Sequence, residues 1–272
     1  MEPSIFREGL FDGRVAVVTG GGSGIGLETA RELASLGASV AICGRKPEKI
    51  EAAVDALKKE GVVADRILGG TCDIREPEAV TAFVSQVLDR FGQIDVLVNN
   101  AGGQFPSSAE GMSPRGWEAV IRNNLNGTFY VTREVATRAM IPQKRGRIVN
   151  VTAMVVRGFP GMSHTGAARA GVENLTKSLA VEWAAHGIRV NAVAPGNNIR
   201  SSGTAQYGED LLEITRRATP MKRLGTPVEV SRVIVFLASF ANDFVTGQVW
   251  GVDGGQPLWG DIWPIPEPTT QS

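Results

Sequence analysis

Tyrosine, histidine and cysteine are nearly missing from this 272-residue chain, with two of each. No disulfide framework can be built from Cys43 and Cys72 alone, and no metal site is expected. Basic and acidic residues balance at 28 each, so no excess of charge points to nucleic acid or a membrane surface. No apolar run reaches the roughly 18 residues that span a bilayer. The start, Met1-Glu-Pro-Ser-Ile-Phe-Arg-Glu8, lacks a basic region followed by an apolar stretch, and the final Thr-Thr-Gln-Ser resembles no retention or peroxisomal tag. The expected location is the cytoplasm.

What is present is an alternation of short apolar runs with amphipathic stretches. The spacing predicts a strand over Arg14–Thr19 and a helix from near Gly24 that turns Ile25, Leu33 and Leu36 inward. Strands over 39–43, 66–72 and Asp95–Val98 alternate with helices over 47–60 and 76–91. A long helix from about Trp117 to Met140 follows, then strand Gly146–Val151, a second long helix to about His186, and strand Ile188–Val193. Helix 227–238 and strand Gln248–Gly251 complete the series. Such alternation, in a chain 43% hydrophobic, implies one α/β domain: a doubly wound parallel sheet with helices on both faces. Residues 197–226 break the rhythm at a length that suggests a substrate lid. A Pro- and Trp-rich tail runs through 257–272. Cys43 and Cys72 fall near the ends of neighbouring strands, as two buried thiols or, less readily, a disulfide.

The first strand and helix are joined by Thr19-Gly-Gly-Gly-Ser-Gly-Ile-Gly26. Glycine there permits positive φ and lets backbone amides approach a pyrophosphate at the positive end of a helix, a Rossmann-type arrangement. Gly20, Gly22, Ser23, Gly24, Ile25 and Gly26 are the candidate contacts. After the second strand comes Cys43-Gly-Arg-Lys46, where an acidic residue would bind the ribose hydroxyls of NAD. Arg45 and Lys46 instead offer charge-assisted bonds to a 2′-phosphate, which favours NADP(H), unless they are only solvated charges at the start of a helix.

With Asn99-Asn-Ala-Gly102 and Val190-Asn-Ala-Val-Ala-Pro-Gly196, these motifs resemble the short-chain dehydrogenase/reductase family. The resemblance implies that Asp73 and Ile74 border the adenine, with a strand-end turn as the other reading of Asp73. It also implies that Asn100, Ala101 and Gly102 lie along the cofactor, and that Pro195, Gly196 and Asn198 begin the loop facing the nicotinamide. A Ser, a Tyr and a Lys carry proton transfer in that family. At the matching spacing this chain has Thr152, Thr165 and Arg169, with Asn124 as the fourth member. Helical geometry puts 165 and 169 on one face. Asn124 inside a predicted helix suggests a backbone irregularity or a bound water.

A threonine hydroxyl is a very weak acid and an arginine stays protonated, so reduction of a ketone by the usual mechanism is disfavoured. Reducing a double bond conjugated to a thioester asks for less: hydrogen-bond donors hold the enolate oxygen, and Thr152, Thr165 and backbone amides supply them. His164 is either a proton source or a polar residue fixing a helix start. Arg169 is a holder of the nicotinamide ribose or a helix-surface arginine.

Asn100-Ala-Gly-Gly-Gln-Phe105, Asn124-Leu-Asn-Gly-Thr-Phe-Tyr130, Gly158-Phe-Pro160 and His164-Thr-Gly-Ala-Ala-Arg-Ala-Gly-Val172 with Asn174-Leu-Thr-Lys-Ser-Leu-Ala180 resemble the trans-2-enoyl-CoA and 2,4-dienoyl-CoA reductases of that family over residues 10–256. Those enzymes also depart from the Tyr and Lys pattern. The enoyl reductases carry a tyrosine where this chain has Glu173, and the dienoyl enzymes one where it has Met154, so neither of their donors is present. Of the two tyrosines here, Tyr130 reads as a packing residue and Tyr207 falls in the lid.

An acyl-CoA substrate needs cations at the mouth of its site. Arg216, Arg217, Lys222 and Arg223 are candidates, or a solvated charged face. Leu211, Leu212 and Ile214 would line an acyl tunnel or seat the lid. The resemblance implies a homo-oligomer, most often a tetramer, and Trp259, Ile262 and Trp263 are expected against a neighbour or over the cleft. The leading expectation is an NADPH-dependent enoyl-CoA reductase. Reduction or oxidation of another small carbonyl or alcohol, and NADP(H) binding without turnover, remain beside it.

Overall fold

The apolar run Val15–Thr19 forms β1, buried on both faces as a central parallel strand must be. In the computed structural model, which describes residues 4–200, 208–259 and 265, six further strands join it. They are β2 (Ser39–Gly44), β3 (Ile67–Thr71), β4 (Val96–Asn99), β5 (Gly146–Val151), β6 (Ile188–Pro195) and β7 (Val249–Val252). All pairings are parallel, in the order β3-β2-β1-β4-β5-β6-β7. The order reverses direction between β1 and β4.

Alternate side chains of each strand feed two cores. Ala16, Val18, Ile42, Val96 and Val98 pack against α1 (Gly24–Ser35), α2 (Pro47–Lys59) and α9 (Pro227–Ala238). Val15, Val17, Ala41, Leu97 and Ile148 pack against α3 (Pro77–Phe91), α5 (Gly127–Val135) and α7 (Ser163–Glu182). The doubly wound sheet is therefore present, with predicted boundaries correct to a few residues.

The first long helix is less regular than its apolar periodicity predicts. It begins at α4 (Pro114–Ile121), three residues before the expected start, where the Ser113 side chain accepts the Gly116 N–H at 3.1 Å. The helix then widens to π geometry at Arg122–Asn126, continues as α5, widens again at Ala136–Met140, and ends in α6 (Ile141–Gln143). Pro142, which has no N–H to return to the preceding turn, follows the second widening.

The stretch 197–226 contains α8 (Glu209–Arg217), a lid helix that carries Leu212 and Ile214. Its two ends are tied together: Arg200 N donates to Gly225 O and Gly225 N to Asn198 O, both at 2.9 Å. The excursion thus leaves and re-enters the body at one point. Tyr207, Ile262 and Trp263 lie outside the described residues, as does the side chain of Leu211.

Candidate active site

The carboxyl ends of the strands on either side of the β1/β4 reversal open onto one cleft of about 500 Å³. Open α/β sheets place ligands at this switch point. The charged lining is of one sign: Arg45, Lys46, Lys49 and Arg169 face the cleft, and among the described residues no Asp or Glu does.

Its near wall is the glycine-rich turn. Gly20 has φ +65°, its N–H donates to Cys43 O at 2.8 Å, and a Cβ there would lie 2.9 Å from Asn100 Nδ2. Thr19 Oγ1 accepts from the N–H groups of Asn100 and Ala101 at 3.1 and 3.0 Å, binding the turn after β1 to that after β4. A Cβ on Gly26 would collide with the Asn100 amide and the Gly20 carbonyl, so this glycine lets α1 seat on the strand ends. No acidic residue stands in the first turn of α1. An uncompensated helix N-terminus inside a cationic cleft fits the pyrophosphate of a nicotinamide dinucleotide.

At one end of the cleft, Arg45 and Lys46 are exposed at the rim where β2 finishes. Cys43 and Cys72 also line the cleft as buried free thiols, not a disulfide. A hydrogen bond between them, with burial, pushes Cys43 well above the ordinary thiol range, while the same bond lowers Cys72. Ile74 lines the cleft, but the Asp73 side chain does not. Arg75 Nε holds Asp73 at 2.9 and 3.1 Å and keeps its carboxyl below the usual range, which makes it a turn clamp.

At the other end Arg169, from α7, is buried and donates to Val151 O at 2.8 Å. Burial lowers its pKa to about 10, so it remains a cation at neutral pH. No carboxylate pairs with it among the described residues. Gly102 lies directly beneath: a Cβ there would be 2.6 Å from Asn124 Oδ1 and would collide with the guanidinium. Asn124 stands in the first π segment, where its Nδ2 donates to Gly103 O at 2.7 Å and Val120 O at 3.0 Å. The irregularity expected from this asparagine is there. It supports the Gly102–Gly103 wall and does not itself line the cleft.

Thr152 lines the cleft just beyond β5. Its hydroxyl lies 3.2 Å from Val193 O and 3.3 Å from Glu173 Oε1. Desolvation raises the pKa of Glu173, against the opposing effects of the Thr152 hydrogen bond and the Lys177 charge. Sequence reasoning did not use Glu173. Its signal was that it stands where the resembling enoyl reductases have a tyrosine.

Thr165 and His164 do not reach the cleft with Arg169. The first turn of α7 is covered: a Cβ on Gly166 would meet Phe159 Cβ at 2.9 Å, and Phe105 stands edge-on to His164 with ring centroids 4.8 Å apart. His164 Nδ1 accepts the Thr165 N–H at 2.9 Å, which leaves the ring proton of the neutral tautomer on Nε2. Both side chains are buried. Pro195 and Gly196 line the cleft, whereas Asn198 is buried and donates to Thr219 Oγ1 at 2.9 Å and Asp253 O at 2.7 Å, closing the base of the 197–226 excursion. Gly24 and Gly26 also stand outside the lining.

The cations expected to hold coenzyme A phosphates are engaged with their own chain. Arg216 and Arg217 each reach Glu213 at 2.8 Å, and Arg223 reaches Glu229 at 2.6 Å. Lys222 lies 4.2 Å from the Trp259 ring centroid, and Arg157 donates to Trp259 O at 3.2 Å. Leu212 is buried and Ile214 exposed, and neither lines the cleft.

A family model described as Enoyl-(Acyl carrier protein) reductase matches residues 20–256. A probable 2,4-dienoyl-CoA reductase of Bacillus subtilis is 36% identical, over 90% of this chain and 97% of that protein. The 3-oxoacyl-acyl-carrier-protein reductase of Thermotoga maritima is 40% identical, over 90% and 98%. Among solved structures, a citronellol catabolism dehydrogenase of Pseudomonas aeruginosa is 47% identical, covering 93% of this chain and 98% of that one with a TM-score of 0.83. With the seven-stranded parallel sheet and its cationic switch-point cleft, these likenesses establish that the chain belongs to the short-chain dehydrogenase/reductase family, the oxidoreductases that work with a nicotinamide cofactor.

Proposed function

We propose that the protein uses NADPH to reduce the carbon-carbon double bond of a 2-enoyl-CoA or 2,4-dienoyl-CoA thioester. One observation carries the reading: no tyrosine stands among the described residues lining the cleft, and Thr165, at the phenol's position, is shut out of it. A ketone reduced to an alkoxide needs a strong proton donor at the moment of hydride transfer. An enolate asks chiefly for donors at its oxygen, each lowering the barrier by about 3 to 4 kcal/mol. Arg169 is the donor side chain at hand for that oxygen, which leaves the Thr152 hydroxyl for the carbon.

The glycine-rich turn and the N-terminus of α1 would hold the pyrophosphate, and Arg45 with Lys46 the 2′-phosphate. The bound cofactor supplies a hydride. Gly102 leaves room for the Arg169 guanidinium to lie against the wall, where it faces the cleft. The dienoyl-CoA reductase named for the Bacillus relative agrees with this chemistry. The Thermotoga relative's 3-oxoacyl name favours the second reading, reduction of a 3-keto thioester. Assembly into a homo-oligomer belongs to the proposal as well, supported by the exposed Phe236–Trp250 stack on α9 and β7, with ring centroids 5.4 Å apart. No helix among the described residues is long and apolar enough to cross a membrane.

The test is NADPH oxidation by the purified protein with trans-2-enoyl-CoA, 2,4-dienoyl-CoA, a 3-ketoacyl-CoA and a simple ketone. Turnover confined to the unsaturated thioesters is expected. Turnover of ketones alone would replace this reading with the second, and tight NADPH binding without oxidation would point to a non-catalytic role.

A further inference from the structure

The Thr152 hydroxyl has one proton and two oxygens competing for it. Val193 O, a carbonyl, only accepts, and it already takes the Thr152 N–H at 2.8 Å. Glu173 Oε1, at 3.3 Å, also only accepts while it is ionised. A protonated Glu173 resolves the conflict, because its own O–H then points to Thr152 Oγ1 and frees the threonine proton for Val193 O or for a group in the cleft. Catalytic hydrogen bonds of this length are common before substrate is bound. We infer that Glu173 is the acid that reprotonates Thr152, so that a carboxyl and a hydroxyl in series supply the proton after hydride transfer, a delay that an enolate tolerates and an alkoxide does not.

The inference rests on the reductive reading above. After a hydride has been delivered to the β-carbon, the displaced electron pair lies on the α-carbon and thioester oxygen. The Thr152 O–H bond breaks as its proton passes to the α-carbon, and the Glu173 O–H bond breaks as its proton passes to the Thr152 oxygen. Thr152 ends as it began and Glu173 ends as a carboxylate. Glu173 is only half-buried, so water returns its proton before the next turnover. It follows Arg169 by one turn of α7, so one helix carries both the fixed cation and the acid. Burial supports the protonated form. Acting against it are a hydrogen bond from Thr152 and, more weakly, the charge of Lys177, one turn further along α7.

Glu173 acts through Thr152 and is therefore a positioning and relay residue. Two readouts test it in the full-length enzyme. The first is the infrared difference spectrum of wild type minus Glu173→Gln, with no substrate present. A protonated carboxyl stretch at neutral pH that titrates away at higher pH is expected, and its absence overturns the inference whatever the substrate. The second is the pH profile of turnover. Wild-type kcat should fall as pH rises through the titration of Glu173. Glu173→Gln should lose about 100-fold in kcat with KM little changed, and should lose that alkaline limb. Thr152→Val should lose a similar amount, and the double variant no more than either single one.

Enoyl turnover by Glu173→Gln with the wild-type rate and pH profile overturns the relay and leaves the enoyl reading standing. Turnover of 3-keto thioesters only, with the same loss in Glu173→Gln, overturns the enoyl reading and leaves the relay standing.

Discussion

On the proposed reading, Arg45 at the end of β2 meets the 2′-phosphate of NADPH. An exposed arginine ordinarily contributes little, because water already solvates it. Here it stands at the rim of a cleft whose described lining has no carboxylate, beside Lys46 and at the end of β2, where a ribose-binding acid would otherwise be expected. Hydrogen bonds between charged partners contribute about 1.5 to 3 kcal/mol, so Arg45→Asp should weaken NADPH binding by about ten-fold or more while strengthening NADH. The two dissociation constants, measured by fluorescence titration, check this. Unchanged values for both would move the 2′-phosphate elsewhere. At the opposite end, Arg169 keeps its charge in spite of burial, and the missing side chain of Gly102 makes room for its guanidinium at the cleft wall.

Among the elements, α9 shows how a surface device is tied to pH. Thr226 and Glu229 form a reciprocal capping box, and Arg223 pairs with the same carboxylate. The Arg223 hydrogen bond is the main reason that the Glu229 pKa is lowered to about 2. A carboxyl that is easier to ionise folded than unfolded stabilises fully above its unfolded value, near 4.3, and loses that contribution as pH falls through about 2. The side chain is 34% exposed, so screening brings the expected effect of Glu229→Gln to about 1 kcal/mol. Thermal melts should show wild type about 2 °C more stable at pH 7, with the gap closing toward pH 2. A gap that stays constant down to pH 2 would remove the ion pair from the account.

The strands and most helix boundaries were legible because apolar alternation and glycine at the strand ends report burial directly. The π segments were not, beyond the hint of Asn124, because a widened turn keeps nearly the same hydrophobic spacing. Leu211, Leu212 and Ile214 suggested a lid helix, but the polar and charged residues around them left the bounds of α8 open. The direction of Thr165 was illegible for a tertiary reason. Helical spacing puts it on the face of Arg169, but Phe159 and Phe105 cover that turn, and only packing across the chain reveals it.

For the whole molecule, zero net charge conceals a separation of charge. Several carboxylates outside the cleft are matched with their own cations: Asp95 with Arg14 and Arg145, Asp243 with Arg147 and Arg189, Glu213 with Arg216 and Arg217. The cations Arg45, Lys46, Lys49 and Arg169 line one cleft whose described lining has no carboxylate, with Asp73, outside the lining, near enough to Arg45 to feel its charge. Composition could not disclose this, since the total is blind to placement. A neutral body with a cationic cleft draws an anionic cofactor by a local field, which salt screens over about 8 Å at physiological ionic strength. NADPH carries one more phosphate than NADH, and on the reading above that phosphate meets Arg45 and Lys46. Raising salt from about 0.05 to about 0.5 M should therefore weaken NADPH severalfold and NADH by a smaller factor. Titrations across that range measure both slopes. Parallel slopes would mean that the extra phosphate lies outside the field of Arg45 and Lys46, and a steeper NADPH slope that flattens in Lys46→Ala would assign part of that field to Lys46.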